Sequence, residues 1–374
     1  MKILYTNFHK RNGGGHVSYI VNLARALAAR HEVIIATPDT SRLYAAAGAL
    51  PGVRRIGMTY ARRITGMLQD VKRLRKLLKR EAFDVVHVNG VADHRNVMLA
   101  RMTLQKKPAI VWTKHNTFAA DSVGNVIRAR LGTDACIAVC DFVARILRDS
   151  PYGAKPVQVV RLGVDVHHFV PAGVGEKTQR RTELFGDLPA DTLVLGSTGG
   201  TDFDKGWLVL VEAISRLDGP LRARFRVVVA GDPPPEARRA QVAALGMQDQ
   251  VVFPGLVKDV RNVLGACDIG FVVSFHEAGS YATCESLASG LPTLVSDAGG
   301  LPELVTEGQD GWVAPARDVD ATVTCLAQLL SDEPRFPQMG LAARQKAMNM
   351  LSTDVLVEAT EQAYQNALNK RGLR

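Results

Sequence analysis

The sequence predicts an α/β protein built from two doubly wound, Rossmann-like domains that face a central cleft. Short apolar strands alternate with helices in both halves of the chain, a pattern that is typical of parallel βαβ units. The alternation breaks at 170–191, where Gly, Pro and charged residues accumulate without clear periodicity. We therefore predict an N-terminal domain over 1–170 and a second domain over 171–352, with a C-terminal helix in 353–374 that packs back on the first domain.

The elements of the first domain follow from its apolar runs. The strand KILYT at 2–6 leads through the glycine-rich segment NGGGH into a helix. The other strands are predicted over 31–37, 84–89, 109–115, 135–140 and 156–160, and the helices that separate them over 62–80, 94–105, 122–131 and 141–149.

The alternation restarts in the second half. Strands are predicted over 192–198, 225–231, 251–255, 268–273 and 292–296, and helices over 206–217, 235–245, 258–266 and 281–289. Ligands of open α/β sheets bind at the carboxyl ends of the strands, so a cleft between the two domains is the expected site.

Composition narrows the class of protein. The chain has 374 residues, 47% of them hydrophobic, and no run of 18 apolar residues that would span a membrane. Its N-terminus turns polar after five residues, which argues against a signal peptide and for the cytosol. The five cysteines are irregularly spaced, so reduced thiols are expected rather than disulfides or a metal site.

Charge is distributed unevenly along the chain. Residues 1–180 carry 29 Lys and Arg against 12 Asp and Glu, whereas residues 181–374 carry 17 against 25. One anionic partner is therefore expected to meet the first half only.

The segment FHEAGSYATCESLASGLP at 275–292 places Glu277 before a turn and Glu285 on the helix that follows. Ionised carboxylates only accept hydrogen bonds, and each hydroxyl of a sugar or ribose offers a donor. Two such carboxylates facing one cleft suit a polyol ligand, although the spacing alone also fits a loop acid and an unrelated helix acid.

Five segments, taken in order, resemble the retaining, nucleotide-sugar-dependent glycosyltransferases of family 4, which have the GT-B fold. They are NGGGH, DVVHVN, VVRLGVDVHHF, DKG, and the run from EAGSYATCESLASGLP to GGLPELV. The resemblance covers nearly the whole chain. It implies a nucleotide diphosphate sugar as donor substrate, no further cofactor, and an acceptor of the lipopolysaccharide or cell-surface polysaccharide type.

The resemblance also implies roles for particular residues. Gly14 and Gly15 would lie near the donor diphosphate, where glycine permits close approach of the backbone. Lys205 would neutralise the leaving diphosphate. Family members often carry an arginine five positions before this lysine, but here the residue is Gly200.

The remaining donor contacts follow in the same way. Glu277 would approach the transferred sugar, Glu285 would bind the ribose hydroxyls, and His115 would contact the donor sugar. The backbone amides of Ala278, Gly279 and Ser280 would contact the donor. Many family members have Gly-Phe-Gly where this chain has Ala-Gly-Ser, so donor selection stays open.

A basic helix in the first half is the candidate membrane or acceptor surface. Residues 54–80 contain ten Lys and Arg against one acid, and apolar residues recur on one side of the helix. The cations assigned to this surface are Arg62, Arg63, Lys72, Arg73, Lys76, Lys79 and Arg80. We expect docking on anionic lipid or on an anionic lipid-linked acceptor, at the inner face of the cytoplasmic membrane, and no nucleic acid partner.

Alternatives remain open from the sequence. The absence of arginine at 200 and the altered turn also fit a catalytically silent nucleotide-sugar-binding or membrane-scaffold protein of the same fold. The pattern Gly13-x-Gly15-x-x-Ser18, with Asp39 after the second strand, resembles a dinucleotide fingerprint and would indicate an NAD-dependent dehydrogenase. The sequence also contains two Asp-x-Asp strings. We expect neither to hold a metal, because it is the GT-A fold that uses such strings for this purpose and the fold predicted here is GT-B.

Overall fold

The computed structural model describes residues 1–10, 14–61, 63–370 and 372. It divides into two compact units, unit 1 with Met1–Gly163 and Thr353–Arg374, and unit 2 with Val164–Ser352. Each unit contains a parallel sheet with helices, which confirms the predicted α/β class with two doubly wound domains. Gly13 of the glycine-rich segment and Arg62 of the basic helix lie outside the described residues.

Unit 1 has, over the described residues, a sheet of parallel strands in the order β3-β2-β1-β4-β5-β6-β7. The strands are β1 (Lys2–Thr6), β2 (Glu32–Thr37), β3 (Val53–Gly57), β4 (Val85–Val88), β5 (Ala109–Lys114), β6 (Ala135–Ala138) and β7 (Val157–Val159). The helices between them are α1 (Gly15–Leu27), α2 (Arg42–Ala47), α3 (Ile64–Glu81), α4 (Val91–Met102), α5 (Val123–Gly132) and α6 (Asp141–Arg148). The central strands are continuous apolar runs because parallel strands are buried on both faces.

Unit 2 has a second parallel sheet, in the order β10-β9-β8-β11-β12-β13 over the described residues. Its strands are β8 (Leu193–Ser197), β9 (Phe225–Val229), β10 (Val251–Val252), β11 (Ile269–Val272), β12 (Thr293–Ser296) and β13 (Gly311–Ala314). Its helices are α7 (Val174–Phe185), α8 (Trp207–Ser215), α9 (Gly219–Ala223), α10 (Glu236–Ala244), α11 (Arg261–Leu264), α12 (Tyr281–Ala288), α13 (Val319–Asp332) and α14 (Phe336–Met350). The core contains fully buried aromatic residues, among them Phe225, Phe271 and Trp312.

The last helix, α15 (Thr353–Lys370), belongs to unit 1 and packs against α1, β5 and β6. The Tyr364 hydroxyl lies 2.7 Å from the Tyr5 hydroxyl and 2.6 Å from Nδ1 of His87. His87, inside β4, is fully buried in this polar network, and burial lowers its pKa to about 3. This histidine therefore has a structural environment.

The strand order of each sheet defines where a site can form. Strand order reverses between β1 and β4 in unit 1 and between β8 and β11 in unit 2. Loops that leave such neighbouring strands diverge and open a crevice at the carboxyl edge of the sheet. The candidate residues after β8 and β11 lie at this position in unit 2, and Gly14 and Gly15, after β1, lie at it in unit 1.

Candidate functional site

Two loops of unit 2 bring Lys205 and Glu277 together. The ammonium Nζ of Lys205 donates to Oε2 of Glu277 at 3.0 Å. The loops are also joined by backbone, because the amide of Phe275 donates to the carbonyl of Asp204 at 2.8 Å. A cation and a carboxylate that are 72 positions apart in sequence are therefore in contact at the carboxyl edge of the sheet.

Gly206 makes this approach possible. It has φ 69°, and a Cβ at this position would lie 2.0 Å from the carbonyl oxygen of Val273. Only glycine combines the left-handed backbone with this close contact. Gly206 thus holds the loop that carries Lys205 against the end of β11.

The turn after Glu277 leads into α12. Ser280 is the N-cap, and its Oγ accepts a hydrogen bond from the amide of Thr283 at 3.1 Å. In the part of the chain that the structure describes, the amides of Ala278, Gly279 and Ser280 donate to no other protein group. Unpaired amides at the start of a helix are donors for an anion or a hydroxyl.

Glu285 lies one turn further along α12. Its side chain is partly buried, and Oε2 accepts a hydrogen bond from the Thr198 hydroxyl at 3.3 Å. Burial raises the pKa of Glu285 to about 7, an effect that the Thr198 hydrogen bond partly opposes. The carboxyl group therefore titrates near neutrality and retains unused acceptor capacity.

Gly200 lies in the loop between β8 and Lys205. Its φ is 94°, in the left-handed region that disfavours any side chain, although a Cβ there would have no neighbour within 4 Å. The backbone, rather than lack of space, therefore selects glycine at the position where the family resemblance suggests arginine.

In unit 1, the glycine-rich segment leads into α1. Gly14 is the N-cap with φ 42° and makes no side-chain cap hydrogen bond, and Gly15 is the first helical residue. A helix start without a capping side chain leaves amides available to an anion. The structure thus places the two described glycines at the start of a 13-residue helix.

His115 follows β5 in unit 1. Its Nε2 lies 2.9 Å from Oδ1 of Asn89, and its ring packs against His16 at 4.3 Å and Tyr19 at 4.7 Å between centroids. Burial, reinforced by neighbouring histidines, holds the pKa of His115 well below its usual range. The imidazole is therefore neutral at physiological pH, and it donates to Asn89 through Nε2 if that nitrogen carries the proton.

Sequence reasoning missed Thr198 and Asn89. Each follows directly after a strand at a position of strand-order reversal, β8 for Thr198 and β4 for Asn89. A search for polar residues at those strand ends would have found both.

A cavity of about 670 Å³ lies in unit 1 beside the start of α3. It is lined by Phe8, His9, Lys10, Thr59, Tyr60, Ala61, Arg63, Thr65 and Gly66. The buried carboxylate of Asp70 fixes its wall, accepting from the Thr59 hydroxyl at 2.9 Å and from the Ala61 amide at 2.6 Å. The lining combines two cations with hydroxyl groups.

The predicted basic helix is present as α3. Arg63, the N-cap, and Lys72, Arg73, Lys76, Lys79 and Arg80 are all exposed. The apolar residues that recur on one side of this helix are only partly packed. Leu74, Leu77 and Leu78 are buried, but Ile64 is 71% exposed and Leu68 is 60% exposed.

The described helices include none that is both long enough and apolar enough to cross a bilayer.

Comparison with known proteins identifies the class. Residues 13–168 match Glycosyltransferase Family 4, and residues 192–332 match Glycosyl transferases group 1. A crystal structure of a glycosyltransferase from Rickettsia africae has the same fold, with a TM-score of 0.84, 20% identity and 98% coverage of both chains.

Two relatives illustrate the range of similarity. A D-inositol 3-phosphate glycosyltransferase of Stackebrandtia nassauensis is 31% identical over 254 residues, covering 64% of this chain and 56% of that protein. A GDP-mannose-dependent alpha-(1-6)-phosphatidylinositol monomannoside mannosyltransferase of Mycolicibacterium smegmatis is 26% identical and covers 93% and 94%. The match to the first protein and to two corynebacterial namesakes spans about half of their lengths.

The fold and the two matching family models thus place the chain among the GT-B glycosyltransferases. More narrowly, the chain belongs to glycosyltransferase family 4, with the group 1 domain in its second half. The resemblance stated from the sequence motifs is confirmed.

Proposed function

We propose that the chain is a retaining enzyme that transfers a sugar from a nucleotide diphosphate sugar to a hydroxyl of a lipid-linked or lipopolysaccharide-type glycan. The observation that carries the proposal is the grouping of Lys205, Glu277 and the amides of 278–280, which have no partner among the described residues, at the carboxyl edge of the unit 2 sheet. Glu285 extends this group with a second carboxylate.

These groups would contact three parts of the donor, namely the diphosphate, the transferred sugar and the ribose. The diphosphate gains negative charge as the glycosidic bond breaks. Lys205 and the backbone amides of residues 278–280 would stabilise that charge. Glu277 would accept from sugar hydroxyls and Glu285 from the two ribose hydroxyls. In this arrangement the lysine that now pairs with Glu277 would also face the diphosphate.

Retention follows from a front-face course. The acceptor oxygen bonds to the anomeric carbon on the face that the diphosphate leaves, and a phosphate oxygen takes the acceptor proton. His115 supports this course, because its lowered pKa makes it a poor base near neutral pH. We propose that His115 instead positions the sugar through a hydrogen bond.

Unit 1 would hold the acceptor. The 670 Å³ cavity offers Lys10 and Arg63 together with the hydroxyls of Thr59 and Thr65, which suits a polyol that carries an anionic group. The names of the two relatives include an inositol phosphate and a phosphatidylinositol mannoside, both anionic polyols. These names support an anionic acceptor.

The exposed cations of α3 would attract an anionic membrane surface, at about 1 kcal/mol for each Lys or Arg near the lipid headgroups. Ile64 and Leu68 stand exposed one turn apart at the start of the same helix. Cations beside exposed apolar side chains are typical of helices that lie in the bilayer interface. We propose peripheral binding at the inner face of the cytoplasmic membrane.

Donor use is tested with purified protein and a panel of uridine, guanosine and adenosine diphosphate sugars, with glycan extracts as acceptors. We expect transfer from one donor class with retained anomeric configuration by NMR. Glu285→Ala should abolish most of it, whereas Glu183→Ala, which removes an exposed acid of the same unit, should not. Absence of transfer with every donor, or full activity of Glu285→Ala, would contradict the proposal.

Membrane binding is tested separately by sedimentation with vesicles of neutral lipid and of neutral lipid containing phosphatidylglycerol. We expect binding only to the anionic vesicles, and we expect Lys76→Glu with Lys79→Glu to release the protein. Lys106→Glu with Lys107→Glu makes the same charge change on another exposed part of unit 1 and serves as the matched control. Equal release by both double variants would indicate nonspecific attraction.

Gly200 favours one alternative, a protein that binds a nucleotide sugar without transferring it. With the left-handed backbone at this position, the loop offers one cation, Lys205, where the family resemblance implies two. Calorimetry that detects donor binding, combined with no turnover by mass spectrometry across the acceptor panel, would support this alternative.

A further inference from the structure

A second cavity, in unit 2, adjoins the loop that carries Lys205, because Phe203 and Gly206 line it. It has a volume of about 340 Å³ and is lined by Phe203, Gly206, Leu208, Val209, Glu212, Arg238, Gln241, Phe275 and Arg317. None of the donor roles proposed above uses Phe203, Phe275, Arg238 or Arg317. The cavity is large enough for one sugar ring with an attached group.

Two arginines are stacked on two phenylalanines in this cavity. The guanidinium of Arg238 lies 4.3 Å from the centroid of the Phe203 ring, and that of Arg317 lies 4.6 Å from the centroid of Phe275. The two rings meet edge to face at 5.4 Å. Stacking orients a guanidinium through its face and leaves the N–H groups of its edge available to a carboxylate or phosphate.

Neither guanidinium pairs with a carboxylate among the described residues. Arg238 donates to the amide oxygen of Gln241 at 2.7 Å, and Arg317 lies 3.4 Å from Nε2 of His276. The carboxylate of Glu212, also in the lining, is paired with Arg216 at 2.6 Å. Two unneutralised cations in a cavity stand out in a part of the chain where acids outnumber bases.

The backbone of Arg317 adds an independent observation. Its φ is 65°, a left-handed conformation that costs about 1–2 kcal/mol for a residue other than glycine. The neighbours on each side hold it there. The amide of Ala316 donates to Oδ1 of Asp297 at 2.9 Å, and Asp318 caps α13. An arginine thus occupies a position where glycine would be more stable, as residues under functional constraint often do.

We propose that this cavity binds a sugar that carries a phosphate or a carboxylate. The two guanidinium edges would hold the anionic group, Phe203 and the side chains of Leu208 and Val209 would contact the apolar face of the ring, and Gln241 would bond a hydroxyl. A neutral sugar would lack the group that both arginines recognise.

The site is connected to the residues assigned to the donor. Phe203 begins the 3-10 turn that ends at Lys205, and Phe275 lies two residues before Glu277. A ligand that orders both rings would also restrain both partners of the 3.0 Å ion pair. This coupling rests on the proposed function, whereas binding of the acidic sugar does not.

The test is calorimetric titration of the full chain with glucose 6-phosphate, glucuronate and glucose. We expect the phosphorylated sugar, the carboxylated sugar or both to bind, and glucose to bind far more weakly. Arg317→Gly and Arg238→Gln should each weaken binding by about tenfold or more, the usual effect of losing a charged hydrogen bond. Arg239→Gln, an exposed neighbour on α10, should leave the affinity unchanged.

Two further measurements make the outcome decisive. Arg317→Gly should keep or raise the melting temperature, because glycine accepts the left-handed backbone, so its loss of binding would not reflect unfolding. Saturation with a nucleoside diphosphate should leave acidic-sugar binding in place. No binding by the unmodified chain, unchanged affinity in both variants, or displacement by the nucleotide would each overturn the proposal. Binding without any transferase activity would still support it.

Discussion

The carboxyl group of Glu285 should make the protein less stable as the pH rises. Burial raises its pKa from an ordinary 4.5 to about 7. Below the lower pKa both the folded and the unfolded chain hold the proton, so Glu285 does not lower the free energy of unfolding. Between the two values the unfolded chain releases a proton that the folded chain retains, and stability falls. Above the higher value the cost is constant.

The size of the effect follows from the shift. One pKa unit corresponds to about 1.36 kcal/mol, so ionised Glu285 should cost about 3 kcal/mol of unfolding free energy above neutrality. Glutamine has almost the same shape, can accept from Thr198 and is neutral at every pH. Glu285→Gln should therefore match the unmodified chain near about pH 4.5 and exceed it by up to about 3 kcal/mol near about pH 8.

Differential scanning calorimetry at several pH values is the assay. A unit of this size changes its melting temperature by about 2–4 °C for each kcal/mol, so the difference should grow from near zero to about 6–12 °C. Glu183→Gln, which neutralises an exposed acid on α7, should show no such growth. A stability difference for Glu285→Gln that is independent of pH, or a loss of stability at high pH, would refute the reasoning. The same variant should bind the donor more weakly, because an amide nitrogen cannot accept from a ribose hydroxyl.

Three further variants probe the same loops. Lys205→Ala should lower transferase turnover by about 100-fold or more in a kinetic assay while changing the melting temperature little, because its ion pair with Glu277 is partly exposed and worth about 1 kcal/mol or less. Gly206→Ala should destabilise the fold by more than about 3 kcal/mol in denaturant titration, because its Cβ would lie 2.0 Å from the carbonyl oxygen of Val273. Ser280→Ala should cost about 1 kcal/mol of stability through loss of the α12 cap, and a neutral result would show that the cap is dispensable.

The alternation of strands and helices was sufficient to predict the class of fold. It did not predict the elements whose residues lack the usual apolar pattern. β3 (Val53–Gly57) was not predicted because Arg54 and Arg55 interrupt its apolar pattern, which an edge strand tolerates. α7 lies within the segment that looked irregular, because its residues are intermediate or exposed and none is buried. A helix with so little buried surface lacks the apolar stripe on which such a prediction depends.

The candidate site was partly accessible to the same reasoning. The run from β11 into α12 indicated from spacing alone that Glu277 and Glu285 follow one strand. What the sequence did not reveal is the environment of each. Glu277 is neutralised by a lysine 72 positions away, and Glu285 has its pKa raised by burial. Both properties depend on packing between loops that are distant in sequence, and no local pattern records such packing.

Gly200 shows how backbone geometry sharpens a motif comparison. If residue 200 had an ordinary backbone conformation, a single substitution could restore the arginine of the family motif. At φ 94° it would instead strain the backbone by about 1–2 kcal/mol. The Cβ direction of Gly231 meets Gly200 at 2.6 Å, so the loop has little freedom to relax. The diphosphate charge would then fall on Lys205 and the amides of 278–280, and Lys205 should be less replaceable here than in a relative that carries both cations.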